Sequence, residues 1–458
     1  MLVIEAEPPF PAMELANSVP FGLYSSSLAE GAGSPDDDRS FFDAFPRAPA
    51  VFALFFDDSG DAQPYMSRTA DLHRRLVRLL GRREPGSPPA PAPPIEPANS
   101  PTPPATPRPR SILLNLRRVT RRISYQRVGS TFEAQWLLYQ LNRQYYPRSY
   151  RQRLRLRPPA LLKVNLRNRF PRCYPTRRPS NDGSLYYGPF PSRLAAERFA
   201  AEFLDLFKIR RCVEDLNPDP SHPGCMYSQM QMCLAPCFQG CSDSEYHDEL
   251  QRVTSFLDSE GRTLVRALEA ERQQASEQLE FEQAAKTHRR IEKVHEVLRL
   301  KPGLARNLAD LDALILERGA EPKSVAFFRI AAGELRGPVS LLLDENVASP
   351  VPLDQQLRDL LQTLAPEPES RTPSPNPEPK ATDTIETKET NETPGTNLPA
   401  RRTARKLPPW EHLALLARWY YSSFREGELV MLPPNRNIPH ARLIRLCRKT
   451  LETVTSDE

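Results

Sequence analysis

Four cysteines, Cys212, Cys225, Cys233 and Cys237, fall within 26 residues at spacings C-x12-C-x7-C-x3-C. Pro223-Gly224 and Ala235-Pro236 turn the chain between them. Four thiolates so placed can wrap one tetrahedral metal ion or one iron–sulfur cluster. Free cysteine is often a small buried apolar residue instead. The short spacings and the flanking turns favour a metal. Seven cysteines, an odd number, argue for a reducing compartment rather than a disulfide framework. Spacing alone leaves zinc and iron–sulfur both open. Cys241 is spare, and Cys173 and Cys447 read as structural.

A second group is cationic. Residues 108–178 carry nineteen Arg or Lys and one acid, Glu133, an asymmetry that the net charge of +5 hides. A charge run is ordinarily a solvated face. A block this one-sided repels itself unless a polyanion neutralises it, which points to nucleic acid. Tyr125, Trp136, Tyr145, Tyr146, Tyr150 and Tyr174 thread the block. Some must be core, and others could stack on bases or beside phosphate-binding arginines.

Short elements must position these groups. Residues 51–55 and 64–66 read as two strands around an Asp58-Ser59-Gly60 turn. Leu72, Leu76, Leu79 and Leu80 recur at helical spacing over 69–80, with Thr69 or Asp71 as the cap. A strand at 123–128 leads through Gly129-Ser130 into a helix at 131–145. Residues 161–166 form a strand and 195–210 an amphipathic helix. Ser242-Asp243-Ser244-Glu245 has the capping-box pattern and opens a helical segment to about residue 300. That segment breaks near Glu260-Gly261 and reverses at Leu279-Glu280-Phe281, which makes a helical hairpin. Its apolar seam runs through Leu264, Leu268, Leu279, Phe281, Ala284, Ala285, Ile291, Val294 and Leu298, and one hairpin cannot bury both its faces. Strand-like runs fill 311–343. A helix at 410–424, a strand at 428–432 and a helix at 440–451 follow.

Composition bounds the rest. Fifty prolines are concentrated in two tracts too proline-rich to pack. No apolar run is long enough to span a bilayer, and the opening MLVIEAEPPFPAMEL lacks the charged-then-apolar form of a secretory signal. The expected fold class is an α+β multidomain chain. Residues 1–45 are a poorly ordered leader. Residues 46–160 form a first α/β domain with a proline-rich insertion at 84–110, and 161–243 form a cysteine-cluster region. Residues 244–302 carry the hairpin, 303–365 and 410–458 make a mixed C-terminal domain, and 366–409 link its parts.

Three stretches in this order, TRRPSNDGSLYYGPFPS, the cysteine cluster and LEFEQAAKTHRRI, resemble the UvrC excinuclease family of nucleotide excision repair. The resemblance is densest over about 161–300. It implies that Arg177, Arg178, Asn181, Asp182, Tyr186, Tyr187 and Gly188 lie on or support a DNA-facing surface. It implies that Cys212, Cys225, Cys233 and Cys237 hold a [4Fe–4S] cluster, with zinc the alternative. The hairpin resembles the UVR motif, through which UvrC pairs with UvrB. Leu279, Phe281, Ala284 and Ala285 are then the expected partner contacts. The family opens with a GIY-YIG nuclease domain. Tyr65 and Arg68 fall in its second motif here, and Arg75 at its helix arginine. Such a site needs a tyrosine, an arginine and a carboxylate holding a divalent metal. Phe52 replaces the first tyrosine, Ala50 and Ser67 replace glycines, and the metal-binding glutamate position falls at Leu138. Glu133 lies about 140° around that helix and points elsewhere. The implied protein is a cytoplasmic repair scaffold binding DNA and a UvrB-type partner, with a degenerate GIY-YIG domain and no room for the family's RNase-H-like and helix-hairpin-helix domains. An active, magnesium-dependent single-incision nuclease and a metal-stabilised interaction protein without a DNA role are the alternatives.

Overall fold

The computed structural model describes residues 14–21, 35–57, 63–81, 116–214, 216–343, 351–365, 407–433 and 440–452. They fall into two units, Met1–Arg155 with Glu317–Ala326, and Leu156–Leu316 with Phe327–Glu458. No helix among the described residues is long and apolar enough to cross a membrane. The Asp58-Ser59-Gly60 turn and the two proline tracts, apart from residues 407–409, lie outside the described residues.

The first sheet is built from β1 (Asn17–Pro20), β2 (Ala50–Phe55), β3 (Tyr65–Thr69) and β4 (Arg122–Arg127), in the order β1-β4-β2-β3. Every residue of β2 is buried, because alternate side chains meet helices on both faces. Ala50, Phe52 and Leu54 pack with α1 (Pro35–Asp43) and α2 (Leu72–Leu80) through Phe42, Leu72, Leu76 and Leu80. Val51, Ala53 and Phe55 pack on the other face with Leu137 and Leu141 of α3 (Thr131–Tyr145). Helix starts follow local chemistry. Asp71 caps α2 by accepting from Arg74 N–H at 2.9 Å, the role its position suggested. Ser130 accepts from Glu133 N–H at 3.1 Å, while Glu133 accepts from Gly129 N–H at 2.7 Å. The leader expected at 1–45 is therefore only partly a leader. Asn17–Pro20 pairs with β4, and Phe42 and Phe45 are core residues. A short strand without alternation and one turn of aromatics carry no sequence signal strong enough to place them.

The second sheet takes β5 (Ala160–Asn165), β6 (Arg172–Thr176), β7 (Leu185–Phe190) and β8 (Arg306–Asn307) in the order β6-β5-β7-β8. Helix α4 (Arg193–Leu204) contributes Phe199 and Phe203, which form an aromatic column with Phe190, Phe207 and Phe256. It ends six residues before the helix expected from amphipathicity, and 205–212 run on as irregular chain toward the cysteines. Three helices follow: α5 (Asp243–Asp258), α6 (Arg262–Glu277) and α7 (Phe281–Leu300). Glu260 at φ 56° and Gly261 at φ 83° make the first break. A side chain at Gly261 would also meet Leu298 at 2.7 Å. Because β8 pairs with β7, residues 306–307 belong to this sheet rather than to the mixed domain expected to begin at 303.

That mixed domain holds β9 (Asp312–Arg318), β10 (Ser324–Ala331), β11 (Glu334–Leu342), α8 (Leu353–Thr363), α9 (Trp410–Tyr420), β12 (Glu428–Met431) and α10 (His440–Glu452). Its sheet order is β11-β10-β9-β12. The antiparallel pairing of β12 with β9 joins the segments on either side of 366–406.

Candidate functional site

The loop between β6 and β7 presents Arg177 and Arg178 to solvent. What lies beneath is a polar knot. Lys163, pointing up from the buried strand β5, pairs with Asp182 and donates to Ser180 Oγ at 3.3 Å. Asp182 also accepts from Ser180 Oγ at 3.0 Å and from Ser184 N–H at 3.1 Å. Burial alone would pull the Asp182 carboxyl up. The Lys163 ammonium and the Ser184 and Ser180 donors outweigh it and hold the carboxyl well below the usual carboxylate range. Burial pulls the Lys163 ammonium down, and Asp182 and Tyr186 more than restore it, so its pKa is raised.

Several residues expected at the DNA face support it from below. Tyr186 is buried, and its hydroxyl donates to Ser180 O at 3.1 Å. Tyr187 points the other way, and its hydroxyl donates to Asp258 at the end of α5, at 2.9 Å. Gly188 is a close approach inside β7, where a side chain would meet Leu161 at 2.6 Å. Asp182 is the partner of Lys163. Asn181 is exposed, and its carbonyl accepts from Leu407 N–H at 2.9 Å. Arg177, Arg178 and Asn181 thus form the outer layer. Lys163 carries no site signal in the sequence, because a lone lysine in an apolar strand resembles an edge residue.

The cysteine segment is a wrap of tight turns. Ala235 and Gln239 take left-handed backbone at φ 57° and 60°, and Gly224 at φ 77°. Asp219 N–H donates to Cys237 O, and Leu234 N–H to Lys208 O, each at 2.9 Å. Cys212, Cys225 and Cys237 are close enough to Cys233 for their charges to act on it. Burial, opposed by a 3.3 Å hydrogen bond from Ala235 N–H, pushes the Cys233 thiol up to about 11. Among the described residues no three Cys, His, Asp or Glu side chains close on a common point that could hold a metal ion as they stand. The donor types nevertheless suit a four-thiolate centre: four cysteines in one wrap, with a backbone N–H on Cys233 Sγ and a guanidinium beside Cys212 Sγ. Cys173 and Cys447 are buried elsewhere, consistent with structural roles.

The hairpin of α6 and α7 has two different parts. Near its base, Leu268, Ile291, Val294 and Val297 join the core of the second sheet and α4. The basal part of the seam is thus covered from within the chain. The tip differs. Leu279 is 72% exposed and Phe281 66%, on either side of a reversal where Leu279 takes φ 59°. Ala285 is exposed beside them and Ala284 half-buried. Between the helices, Glu271 accepts from Thr287 Oγ at 3.1 Å and from the Gln283 amide at 3.2 Å, zipping the two together.

In the first unit, Arg75 donates to the Tyr65 hydroxyl at 3.4 Å. These two meet on the α2 face of the sheet, with Tyr65 beside Phe52. Arg68 does not join them. It is paired with Val51, two residues from Met66, and so lies on the α3 face. Leu138, the position matching the family glutamate, packs into that same opposite core. Glu133 is occupied in the helix cap, where burial raises its carboxyl and the Gly129 N–H opposes the rise.

Comparison with known proteins places the similarity on the middle of the chain. The UvrC/Cho excinuclease middle-domain model matches residues 160–256, and the UvrB/uvrC motif model matches 262–297. Among curated relatives, UvrABC system protein C of Methanothermobacter thermautotrophicus is 32% identical over 174 residues, covering 38% of this chain and 29% of that protein. Those of Syntrophus aciditrophicus and Carboxydothermus hydrogenoformans are 30% and 32% identical, covering 38% and 37% of this chain and 28% and 27% of theirs. This similarity therefore spans less than a third of the relatives' length. No solved structure matches. The two matched segments are those that carry the arginine loop with its lysine knot, the four cysteines and the open hairpin tip, and over them this chain is similar to the UvrC family.

Proposed function

We propose that this chain is a UvrC-type scaffold of nucleotide excision repair. It grips the DNA backbone with Arg177, Arg178 and Asn181 and a UvrB-type partner with the hairpin tip. The observation that carries this reading is the buried Lys163–Asp182 pair, which fixes an exposed two-arginine loop at the cost of desolvating two charges. Phosphate binding by guanidinium groups on a fixed loop accounts for that arrangement. Binding then depends on counterion release. The salt dependence should be steep, and Arg177→Ala with Arg178→Ala should lower its slope by about 2 for two lost phosphate contacts. An unchanged slope removes both arginines from the interface.

Cys212, Cys225, Cys233 and Cys237 hold a [4Fe–4S] cluster or a zinc ion in this reading. The centre's chemistry would be a covalent tie between the end of α4 and the start of α5, setting the DNA loop relative to the hairpin. The first unit is proposed not to cut, since the family's glutamate position faces away from Tyr65 and Arg75. The Tyr65–Arg75 contact keeps one second reading in view, an active magnesium-dependent single-incision nuclease. A nicking assay on damaged duplex with UvrB loaded separates the two. Magnesium-dependent cleavage abolished by Tyr65→Phe or Arg75→Ala would establish the nuclease and overturn the non-cutting scaffold. A reducing, cytoplasmic setting suits the free thiols.

A further inference from the structure

Arg210 is the largest fully buried side chain among the described residues, with 1% of its surface exposed. It stands just before the first cysteine of the cluster. Its guanidinium donates to Phe170 O at 2.9 Å through Nε and to Glu214 O at 2.8 Å through Nη1. Nη1 also lies 3.7 Å from Cys212 Sγ. Its backbone N–H donates to the Tyr246 hydroxyl, which is fixed by Pro171 O. Every oxygen its guanidinium reaches is a neutral carbonyl, and among the described residues no carboxylate lies within ion-pair distance of it. The neighbouring Arg211 is different, since Asp205 neutralises it at 2.9 Å.

A buried guanidinium without a counter-charge is costly, and neutral carbonyls offset only part of that cost. Arginine cannot relieve it by losing a proton. A four-thiolate centre on zinc or on a [4Fe–4S] core is a dianion, and its charge would sit where this cation is waiting.

We infer that Arg210 is a positioning residue for that centre: a buried cation whose counter-ion is the cysteine-bound metal group, reached through Cys212 Sγ. This rests on the proposed metal role of the four cysteines. It predicts a division of labour. The carbonyl contacts of Arg210 stabilise the fold with or without metal, whereas its charge acts only once the thiolates are formed.

The test uses the full chain, stripped of metal and titrated with Co²⁺, whose sulfur-to-metal absorption reports thiolate ligation. Wild type should take up one Co²⁺ with thiolate bands. Arg210→Met should bind about 10–100-fold more weakly, the scale of a lost outer-shell partner. Arg210→Lys, which keeps the charge and loses the planar fork, should recover most of that affinity. Thermal unfolding supplies a second readout: the rise in Tm on adding Co²⁺ should shrink in Arg210→Met and persist in Arg210→Lys. Equal Co²⁺ affinity in wild type and Arg210→Met overturns the inference while leaving the metal reading intact. Equal weakening in both variants also overturns it, because the geometry and not the charge would then matter. No thiolate bands in wild type overturns the metal reading itself and the inference with it. Should Arg210→Met fail to fold, Arg210→Lys decides alone: affinity lost with the charge retained refutes the role.

Discussion

The Lys163–Asp182 knot gives a prediction whose sign can be worked from its surroundings. The two side chains are only 7% and 11% exposed, so neither charge can turn to water when its partner is removed. Breaking a buried pair on one side costs about 3–5 kcal/mol. The ceiling is set by the alternative of neutralising the survivor. In Asp182→Asn, the stranded Lys163 can shed its proton, which costs about 4–5 kcal/mol at pH 7 and about 1.4 kcal/mol less for each unit the pH rises. In Lys163→Met, the stranded Asp182 can take up a proton, at about 4 kcal/mol at pH 7 and about 1.4 kcal/mol less for each unit the pH falls. The wild-type pair is the reference. Its raised lysine stabilises at every pH below the ordinary lysine value, and that stability is lost as pH climbs past the raised one. Its lowered carboxyl stabilises above the ordinary carboxylate value, and that stability is lost only as pH falls through the lowered one. Between pH 5 and 9 the pair's own contribution is therefore flat. Urea unfolding across that window should show the Asp182→Asn penalty shrinking toward pH 9 and the Lys163→Met penalty shrinking toward pH 5. A Lys163→Met, Asp182→Leu double variant should cost less than the two singles together. Penalties that do not change with pH, or that change with the same sign, would refute the account of a buried, mutually dependent pair.

Two further outcomes follow from the geometry. Leu138→Glu, which restores the family's residue type, should not confer magnesium-dependent nicking, because α3 presents that position to the opposite core from Tyr65 and Arg75; nicking by this variant would show that the sheet faces are wrongly assigned. Leu279→Ala with Phe281→Ala should abolish capture by a UvrB-type partner in a pull-down while moving stability by less than about 0.5 kcal/mol per site, since both side chains are exposed; a large loss of stability would mean that the tip packs within this chain.

What the sequence determined by itself was local. Ser130 with Glu133, Ser242 with Glu245, and Asp71 each satisfy helix-end N–H groups within four residues, so their patterns could be read directly. The break at Glu260-Gly261 and the reversal at Leu279 were legible for the same reason: a change of backbone hand interrupts the apolar period on the spot. The strands of the mixed domain were equally clear from their apolar runs. What only the tertiary structure decided was which side of a sheet a residue faces and what lies across from it. Tyr65, Arg68 and Arg75 share a motif in sequence, yet strand alternation sends Arg68 to the far face and leaves Tyr65 with Arg75. Tyr186 and Tyr187 are one residue apart, and the pleat turns one to the arginine loop and the other to the hairpin's root. Lys163 looks like an edge-strand lysine and Arg210 like an ordinary surface cation. Their burial depends on strands and helices distant in the chain closing over them, and no local pattern records that closure.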